Sequence, residues 1–340
     1  MTYSENDTIS KRLDFIDWAK AFGIFCVVYA HTPLDERLQN FIYVFHMPLF
    51  FFISGYLFSY KRNGTYMPFV KKRALQLMMP YIFINLITYL FWLFVARHVG
   101  AEDDSAIAAW LPLAAAAIGN GKDMVHNVPL WFLMCLFLVE TLYYPLFKKR
   151  TAKCRICLTI AIGIIAATNY LLNPILLPFC LGTVMSGMVF YAAGHEAALK
   201  NVHFNSITIA IIALVVAVYV SIANGRINMH KNYYGNMALF FAGGFAGTYA
   251  VIAASRACAK LTATATLMRR FIGFISDNTL YVCGFHLMCF AFVKGILVYC
   301  FHVDLHQFDS TIVNNLLFSI AAMLVCLTAI KILRKWYQCA

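Results

Sequence analysis

The chain has 340 residues, of which 62% are hydrophobic and only 12% are charged. Soluble domains carry about 25% charged residues, so this composition excludes an ordinary water-soluble globule. The formal net charge is +12. A basic chain can bind an acidic membrane surface or a nucleic acid, and the positions of the basic residues distinguish the two.

Apolar runs recur from residue 15 almost to the C-terminus. Their length, about 20 residues, is the length that crosses ~30 Å of hydrocarbon as a helix. The predicted spans are, in chain order, 15–33, 41–60, 74–97, 129–147, 156–172, 174–194, 206–223, 237–255, 278–301 and 313–333. No small-residue cleavage site follows the first run, so we interpret it as an uncleaved span. Since no internal repeat is visible, we expect an all-α integral membrane protein, a single bundle of about ten transmembrane helices in one domain over residues 1–340.

The distribution of lysine and arginine between the spans predicts the orientation. With the N-terminus in the cytosol, twenty of the 27 Lys and Arg residues fall in cytosolic segments, and Lys20 and Lys294 fall in spans. The outer segments hold the other five, Arg37, Arg97, Lys122, Arg226 and Lys231. Because cytosolic loops carry the excess of basic residues, both termini are predicted to be cytosolic. Attraction to acidic membrane lipids then accounts for the net charge, and nucleic acid is not expected as a partner.

Ionisable side chains inside the predicted spans are candidate functional residues, because each costs at least about 2.5 kcal/mol at that depth. They are Asp17, Lys20, His31, His46, Glu140, His286 and Lys294.

The first span carries a polar stripe. Lys20 and His31 are eleven residues apart, about three helical turns or 16 Å, which places both on nearly one face. Asp17 falls on that face too. The alternative is structural: Asp17 and Lys20 form an interfacial pair, and His31 ends the helix at the outer headgroups.

The second span enters from the outer side after a short loop, so His46 is expected at the depth of His31, where the two imidazoles can meet. His46 would orient His31 or polarise a carbonyl, or else serve as a structural histidine bonded to the backbone. Farther along this span, Ser54 and Gly55 allow a neighbouring helix to approach closely. We expect packing rather than chemistry from this pair.

Three positions in later spans complete the candidate set. Glu140 in the fourth span is expected to pair with a neighbouring polar group. Trp131, near the start of that span, belongs to the interfacial aromatic belt or stacks on a sugar ring. His286 lies seven residues after Thr279, on nearly the same face of the ninth span, at a depth that favours a functional contact.

Metal-ligand spacing is not visible within any span, so no metal is expected. The Cys154-x-x-Cys157 pair lies in a basic loop without a second pair, and we interpret it as neither a metal nor a redox site.

Motifs in four spans carry a resemblance to a known family. DWAK at 17–20 is followed, after ten residues, by His31, and the second span reads FHMPLFFFISGY at 45–56. The fourth span contains LWFL at 130–133, and NTLY at 278–281 leads to His286. Together these residues resemble the acyltransferase 3 family of membrane O-acyltransferases, in particular its fucose 4-O-acetylase-like branch. Lys20 and His31 match the family's pattern of a basic residue, ten residues and a histidine, with Lys where many members have Arg.

The resemblance implies a ten-helix fold in the bacterial inner membrane and no permanently bound cofactor. It also implies acyl-CoA, usually acetyl-CoA, as the donor substrate. The acceptor would be a hydroxyl of an envelope or exported glycan, or of a lipid-linked saccharide.

For this reaction His31 would be the base that takes the proton of the sugar hydroxyl, since a neutral imidazole suits that task near pH 7. Lys20, Asp17 and Arg73, from the polar stripe and the basic loop 61–73, are expected to serve the donor at the cytosolic side. The further candidates are His46 and His286 as catalytic residues and Trp131 for the acceptor. Whether an acyl-histidine forms or the sugar attacks the thioester directly stays open.

Two other classes of function fit part of the pattern. A secondary transporter would use the intramembrane His, Asp and Lys side chains as a proton relay, but such transporters show paired broken helices, and no such symmetry is visible. A structural scaffold does not explain charged side chains along one face of a membrane helix. Acyl transfer is therefore the predicted function.

Overall fold

The computed structural model describes residues 13–99, 107–119, 121, 123–172, 177–303 and 311–339. Within these ranges the chain is almost entirely helical and forms no strand, which confirms the all-α prediction. The main helices are α1 (Asp14–Ala30), α2 (Glu36–Tyr56), α3 (Tyr66–Ala96), α4 (Trp131–Phe147), α5 (Ala152–Leu172), α6 (Leu181–Leu199), α7 (Ile207–Ala223), α8 (Met237–Leu261), α9 (Thr266–Asp277), α10 (Thr279–Phe301) and α11 (Ile312–Cys339). Short helices lie at Tyr60–Asn63 and Leu111–Ala117.

In the described part of the chain, seven helices are long and apolar enough to cross a membrane. They are α2, α3, α4 with the turn before it, α5, α8, α10 and α11. A helix also lies at each of the other three predicted spans, in α1, α6 and α7. Large apolar side chains face outward on these helices, such as Ile164 and Leu171 on α5, as lipid contact requires. The protein is therefore a multi-pass membrane protein, and the total of ten spans stays a prediction.

Local signals set where several helices begin. Asp35 caps α2 by accepting a hydrogen bond from the Arg37 N–H at 2.9 Å, and Asn236 caps α8 through the N–H groups of Ala238 and Leu239. Such caps satisfy backbone donors that the first helical turn leaves unpaired. In α3, Pro80 has no N–H to donate, and the turn Ala74–Met78 before it widens to a π-helix.

The sixth predicted span was placed too early in the chain. The prediction began at residue 174, whereas α6 runs from Leu181 to Leu199. Phe179 and Cys180 adopt left-handed backbone angles directly before it, so the helix cannot begin sooner. Residues 174–176 lie outside the described residues, as do Lys11, Arg12 and Lys122, which entered the prediction of orientation.

The first two helices form the centre of the bundle. α1 packs against α2, α8, α9, α10 and α11, and α2 packs against α1, α6, α7 and α8. The α2–α6 contact is very close, because a Cβ at Gly55 would overlap the carbonyl oxygen of Tyr191, and a Cβ at Gly194 would overlap that of Phe52. The predicted packing role of Gly55 is thereby confirmed. This arrangement holds the polar stripe of α1 inside the protein.

Candidate active site

A cavity of about 430 Å³ lies between α1 and α2 on one side and α3 and α4 on the other. At one end, here called the basic end, it is lined by Arg62, Lys72 and Arg73. At the other, here called the histidine end, it is lined by His31, His46 and His230. Since α1 and α2 run antiparallel, each helix contributes residues to both ends.

His31 is held in one tautomer by the helix that it ends. It is the C-cap residue of α1, and its Nδ1 lies 2.7 Å from the carbonyl oxygen of Val27. Because a carbonyl oxygen can only accept, Nδ1 carries the proton in this bond, and Nε2 keeps a lone pair. That lone pair is the group that a general base needs.

His286 is the imidazole that contacts His31. The two ring centroids are 5.0 Å apart, with the planes inclined by 67°. His286 is fully buried, does not line the cavity, and its Nδ1 donates to the carbonyl oxygens of Val282 and Cys283. Its Nε2 has no hydrogen-bond partner in the described part of the chain. His286 thus contacts the ring of His31 from behind the cavity wall, and its functional role stays a prediction.

His46 lines the same end of the cavity, in a similar local arrangement. Its Nδ1 donates to the carbonyl oxygen of Ile42 at 2.8 Å, and its ring lies 5.1 Å from that of Tyr43. The structure brings His46 and His31 to one cavity, as expected from their depth, but the ring against His31 is that of His286. The hydrogen bond from His46 to the Ile42 carbonyl oxygen is what a structural histidine would make, and it would equally orient a catalytic one.

The residues expected to serve the donor are only partly together. Lys20 and Arg73 line the cavity, whereas Asp17 is not part of its lining. Arg73 makes a two-pronged ion pair with Glu140 through Nε and Nη2, and its Nη1 donates to Gln76 Oε1 at 2.7 Å. The expected polar partner of Glu140 is therefore Arg73.

Trp131 lines the cavity and is only 5% exposed. The interpretation of Trp131 as part of a lipid-facing aromatic belt is therefore wrong, because belt residues lie at the outer surface of the protein. The stacking role toward a sugar stays a prediction. Ser54 also lines the cavity. Helix packing therefore explains Gly55, whereas Ser54 has a place in the cavity wall as well.

Sequence reasoning missed His230 and Tyr191. His230 lies between α7 and α8 and escaped the search for ionisable residues inside spans. The available signal was the pair of neighbouring cations, Arg226 and Lys231, which fall in a predicted outer segment against the charge bias. Tyr191 is fully buried in the cavity wall, and its hydroxyl has no partner among the described residues. Nothing in the sequence distinguishes this tyrosine from the other eighteen.

A family model described as an acyltransferase domain matches residues 13–333, a range that contains every residue lining the cavity. The chain belongs to the acyltransferase 3 family. No curated protein and no solved structure gave a significant match.

Membership in the acyltransferase 3 family makes the protein a membrane acyltransferase and confirms the predicted class of enzyme. The match extends over the α1 residues that carry the family pattern, Lys20 and His31, and both line one cavity. The fucose 4-O-acetylase-like branch stays a prediction. Among the described residues no three His, Cys, Asp or Glu side chains come together as a metal site, and the expectation of a metal-free reaction also stays a prediction.

Proposed function

We propose that this acyltransferase moves an acyl group, acetyl in the usual case, from cytosolic acyl-CoA to a hydroxyl of an envelope or exported glycan. The observation that supports the proposal most is the shared cavity. A single cavity reaches from three basic side chains to three imidazoles, so an anionic donor and a hydroxyl acceptor can occupy it together.

The donor is proposed to enter at the basic end. Arg62 and Lys72 offer cationic groups for the phosphates of coenzyme A, and the positive-inside distribution predicts that this end faces the cytosol. Lys20 lies farther along the cavity wall, on the stripe that leads to His31. The hydroxyl of Tyr191, which has no hydrogen-bond partner among the described residues, is available to a polar group of the donor's arm. Arg73 supports this end through its pair with Glu140.

His31 is proposed as the general base. Its Nε2 lone pair takes the proton of the acceptor hydroxyl while that oxygen attacks the thioester carbonyl carbon. The carbon–sulfur bond then breaks, and the imidazolium returns the proton to the leaving thiolate of coenzyme A. The Nδ1–H bond to Val27 fixes the ring in the orientation that this transfer needs. Because donor and acceptor share one cavity, we favour direct attack over an acyl-histidine.

The test is transfer of a labelled acetyl group. Membranes with and without the protein are incubated with acetyl-CoA labelled in the acetyl group, and the envelope glycans are examined by mass spectrometry. Acetyl-ester additions that depend on the protein are expected. Transfer only to protein or to a lipid that carries no saccharide, or no transfer at all, would contradict the proposal.

Direct attack is tested separately with donor alone. Purified protein incubated with acetyl-CoA and no acceptor is expected to show no acetyl adduct by intact-mass measurement. An adduct that maps to His31 and is discharged by added glycan would replace direct attack with the covalent route.

A further inference from the structure

The segment between α7 and α8 forms a hairpin, residues 224–236, that reaches the histidine end of the cavity. Ile227, Asn228, Met229 and His230 line the cavity there. The tip also meets the loop before α4, since a Cβ placed at Gly121 would lie 3.3 Å from the His230 Cβ. The hairpin therefore forms a wall of the region in which the acceptor would meet His31.

This hairpin is tightly braced. Asn228 and Tyr233 form a two-bond bridge, with N–H to oxygen distances of 2.7 and 3.0 Å. The hydroxyl of Thr183, on α6, donates to the carbonyl oxygen of Met229 at 2.8 Å. At its base, the Asn224 side chain donates to the Tyr234 carbonyl oxygen and accepts from the Asn236 N–H. The residues that it presents are thus held in fixed positions.

Two cations flank the part of the hairpin that lines the cavity. Arg226 and Lys231 are exposed, and in the described part of the chain no carboxylate lies within ion-pair distance of either. Both act electrostatically on His230, and Arg226 also acts on Tyr43, another cavity residue. Among the described residues, no carboxylate contributes to the electrostatics of His230 or Tyr43. Burial first, and after it Lys231, His31 and Arg226, lower the pKa of His230 to about 3, so this imidazole is neutral and the positive charge of the hairpin comes from Arg226 and Lys231.

These cations run against the charge bias of the chain. On the predicted topology the outer segments hold only five of 27 basic residues, and two of the five are in this hairpin. Cations at the mouth of a cavity attract and orient ligands of opposite charge.

We propose that the acceptor is an anionic saccharide, whose phosphate or carboxylate is recognised by Arg226 and Lys231 while its hydroxyl faces His31. This inference rests on the proposed function, since it concerns the glycan that receives the acyl group. A phosphate would come from a lipid-linked saccharide and a carboxylate from an acidic sugar, and both present the same charge to the hairpin.

The first experiment reads the charge of the product. The glycan unit that is acylated in the presence of wild-type protein is isolated, and its accurate mass and fragmentation show whether it carries phosphate, carboxylate or neither. We expect the acylated unit to carry a phosphate or a carboxylate. The fragments show whether the anion comes from a lipid-linked saccharide or from an acidic sugar. A neutral unit would overturn the proposal alone, whereas a wild-type protein that acylates no glycan would overturn the proposed function with it.

The second experiment assigns the recognition to the two residues. Purified protein in phosphatidylcholine nanodiscs, which contain no anionic lipid, is assayed with the isolated acceptor. The variant Arg226→Gln with Lys231→Gln should raise the acceptor KM about tenfold and leave the donor KM unchanged. Arg37→Gln removes a predicted outer cation that lies outside the hairpin and should leave both KM values at the parental level.

Salt dependence provides an independent measurement. Raising the ionic strength from about 0.01 M to 1 M shortens the Debye length from about 30 to 3 Å, so the acceptor KM of the wild type should rise steeply and that of the double variant only weakly. A double variant with the parental acceptor KM, or equal salt dependence in both proteins, would overturn the assignment. Equal loss in Arg37→Gln would overturn it as well, because the effect would then belong to surface charge in general.

Discussion

At the scale of single residues, the division of tasks between Lys20 and His31 follows from their places on α1. Both line one cavity, and they are separated by about three helical turns. A change at one of them should therefore affect donor binding or transfer separately. Donor binding and acyl transfer can therefore be measured separately in variants of Lys20 and of His31.

Replacement of Lys20 tests the donor end. Lys20→Ala should weaken acyl-CoA binding by about 1.5–3 kcal/mol, the usual contribution of a hydrogen bond to a charged group. Lys20→Arg should retain part of the affinity, because the charge remains. Equilibrium binding of labelled acyl-CoA to purified protein measures both. Unchanged affinity in a folded Lys20→Ala protein would remove Lys20 from the donor site.

The buried pair of Arg73 and Glu140 has a structural consequence that can be separated from function. Glu140 is 3% and Arg73 24% exposed at the side chain, and removing one partner of such a pair costs about 3–5 kcal/mol. We expect Glu140→Leu to lower the thermal stability of the detergent-solubilised protein strongly. Replacing both residues by leucine should recover most of that loss.

The double variant also reports on the role of Arg73. If Arg73 serves the donor as well, the stable double variant will bind acyl-CoA more weakly than wild type. A single Glu140→Leu variant that is as stable as the parental protein would show that the pair contributes little to the fold.

At the scale of helices, the close α2–α6 contact positions part of the cavity wall, because Ser54 of α2 and Tyr191 of α6 both line the cavity. Gly55→Ala would force these backbones apart. Overpacking a well-packed interior costs about 1–3 kcal/mol even where side chains can yield, and here the obstacle is a backbone carbonyl.

We therefore expect Gly55→Ala to lower both thermal stability and activity. Gly295→Ala is the matched control in α10, since nothing lies within 4 Å of its Cβ position, and alanine there should be neutral or slightly stabilising. Thermal unfolding in detergent compares the two variants. Equal behaviour would mean that α2 and α6 do not approach as closely as described.

At the scale of the whole molecule, the predicted topology puts the basic end of the cavity in the cytosol. A periplasmic reporter such as alkaline phosphatase, fused after Ala340, should be inactive because the C-terminus is predicted to be cytosolic. The same reporter fused to a chain truncated after Gly225 should be active. The reverse pattern would invert the protein and place the basic end outside.

The sequence was sufficient to predict a helix at each of the ten spans and the residues that α1 contributes to the cavity, but not α9, which lies between two predicted spans. Hydrophobic length identifies a membrane helix without tertiary information, and Lys20 and His31 share a face because they share a helix. The start of α6 was missed because the left-handed turn at Phe179 and Cys180 leaves no mark in hydropathy.

Contacts between distant helices were not predictable in the same way. His286 is far from His31 along the chain, so only packing of α10 against α1 shows that their rings meet. The same holds for Trp131, whose position near the end of a span resembles that of an interfacial aromatic residue, and for His230, which reaches the cavity from a loop.

We propose His31 as the base at the histidine end of a cavity that the donor enters from the basic end, and His31→Gln is the decisive variant for this role. Purified wild-type and variant proteins are compared in two measurements on the same preparation, equilibrium binding of acyl-CoA and single-turnover acyl transfer to the acceptor glycan. We expect unchanged donor binding, since Lys20 is retained, with transfer slowed about 10²–10⁴-fold, the usual contribution of general-base catalysis. A variant that binds acyl-CoA and transfers the acyl group at the parental rate would show that His31 is not the base and would leave His46 and His286 as the candidates.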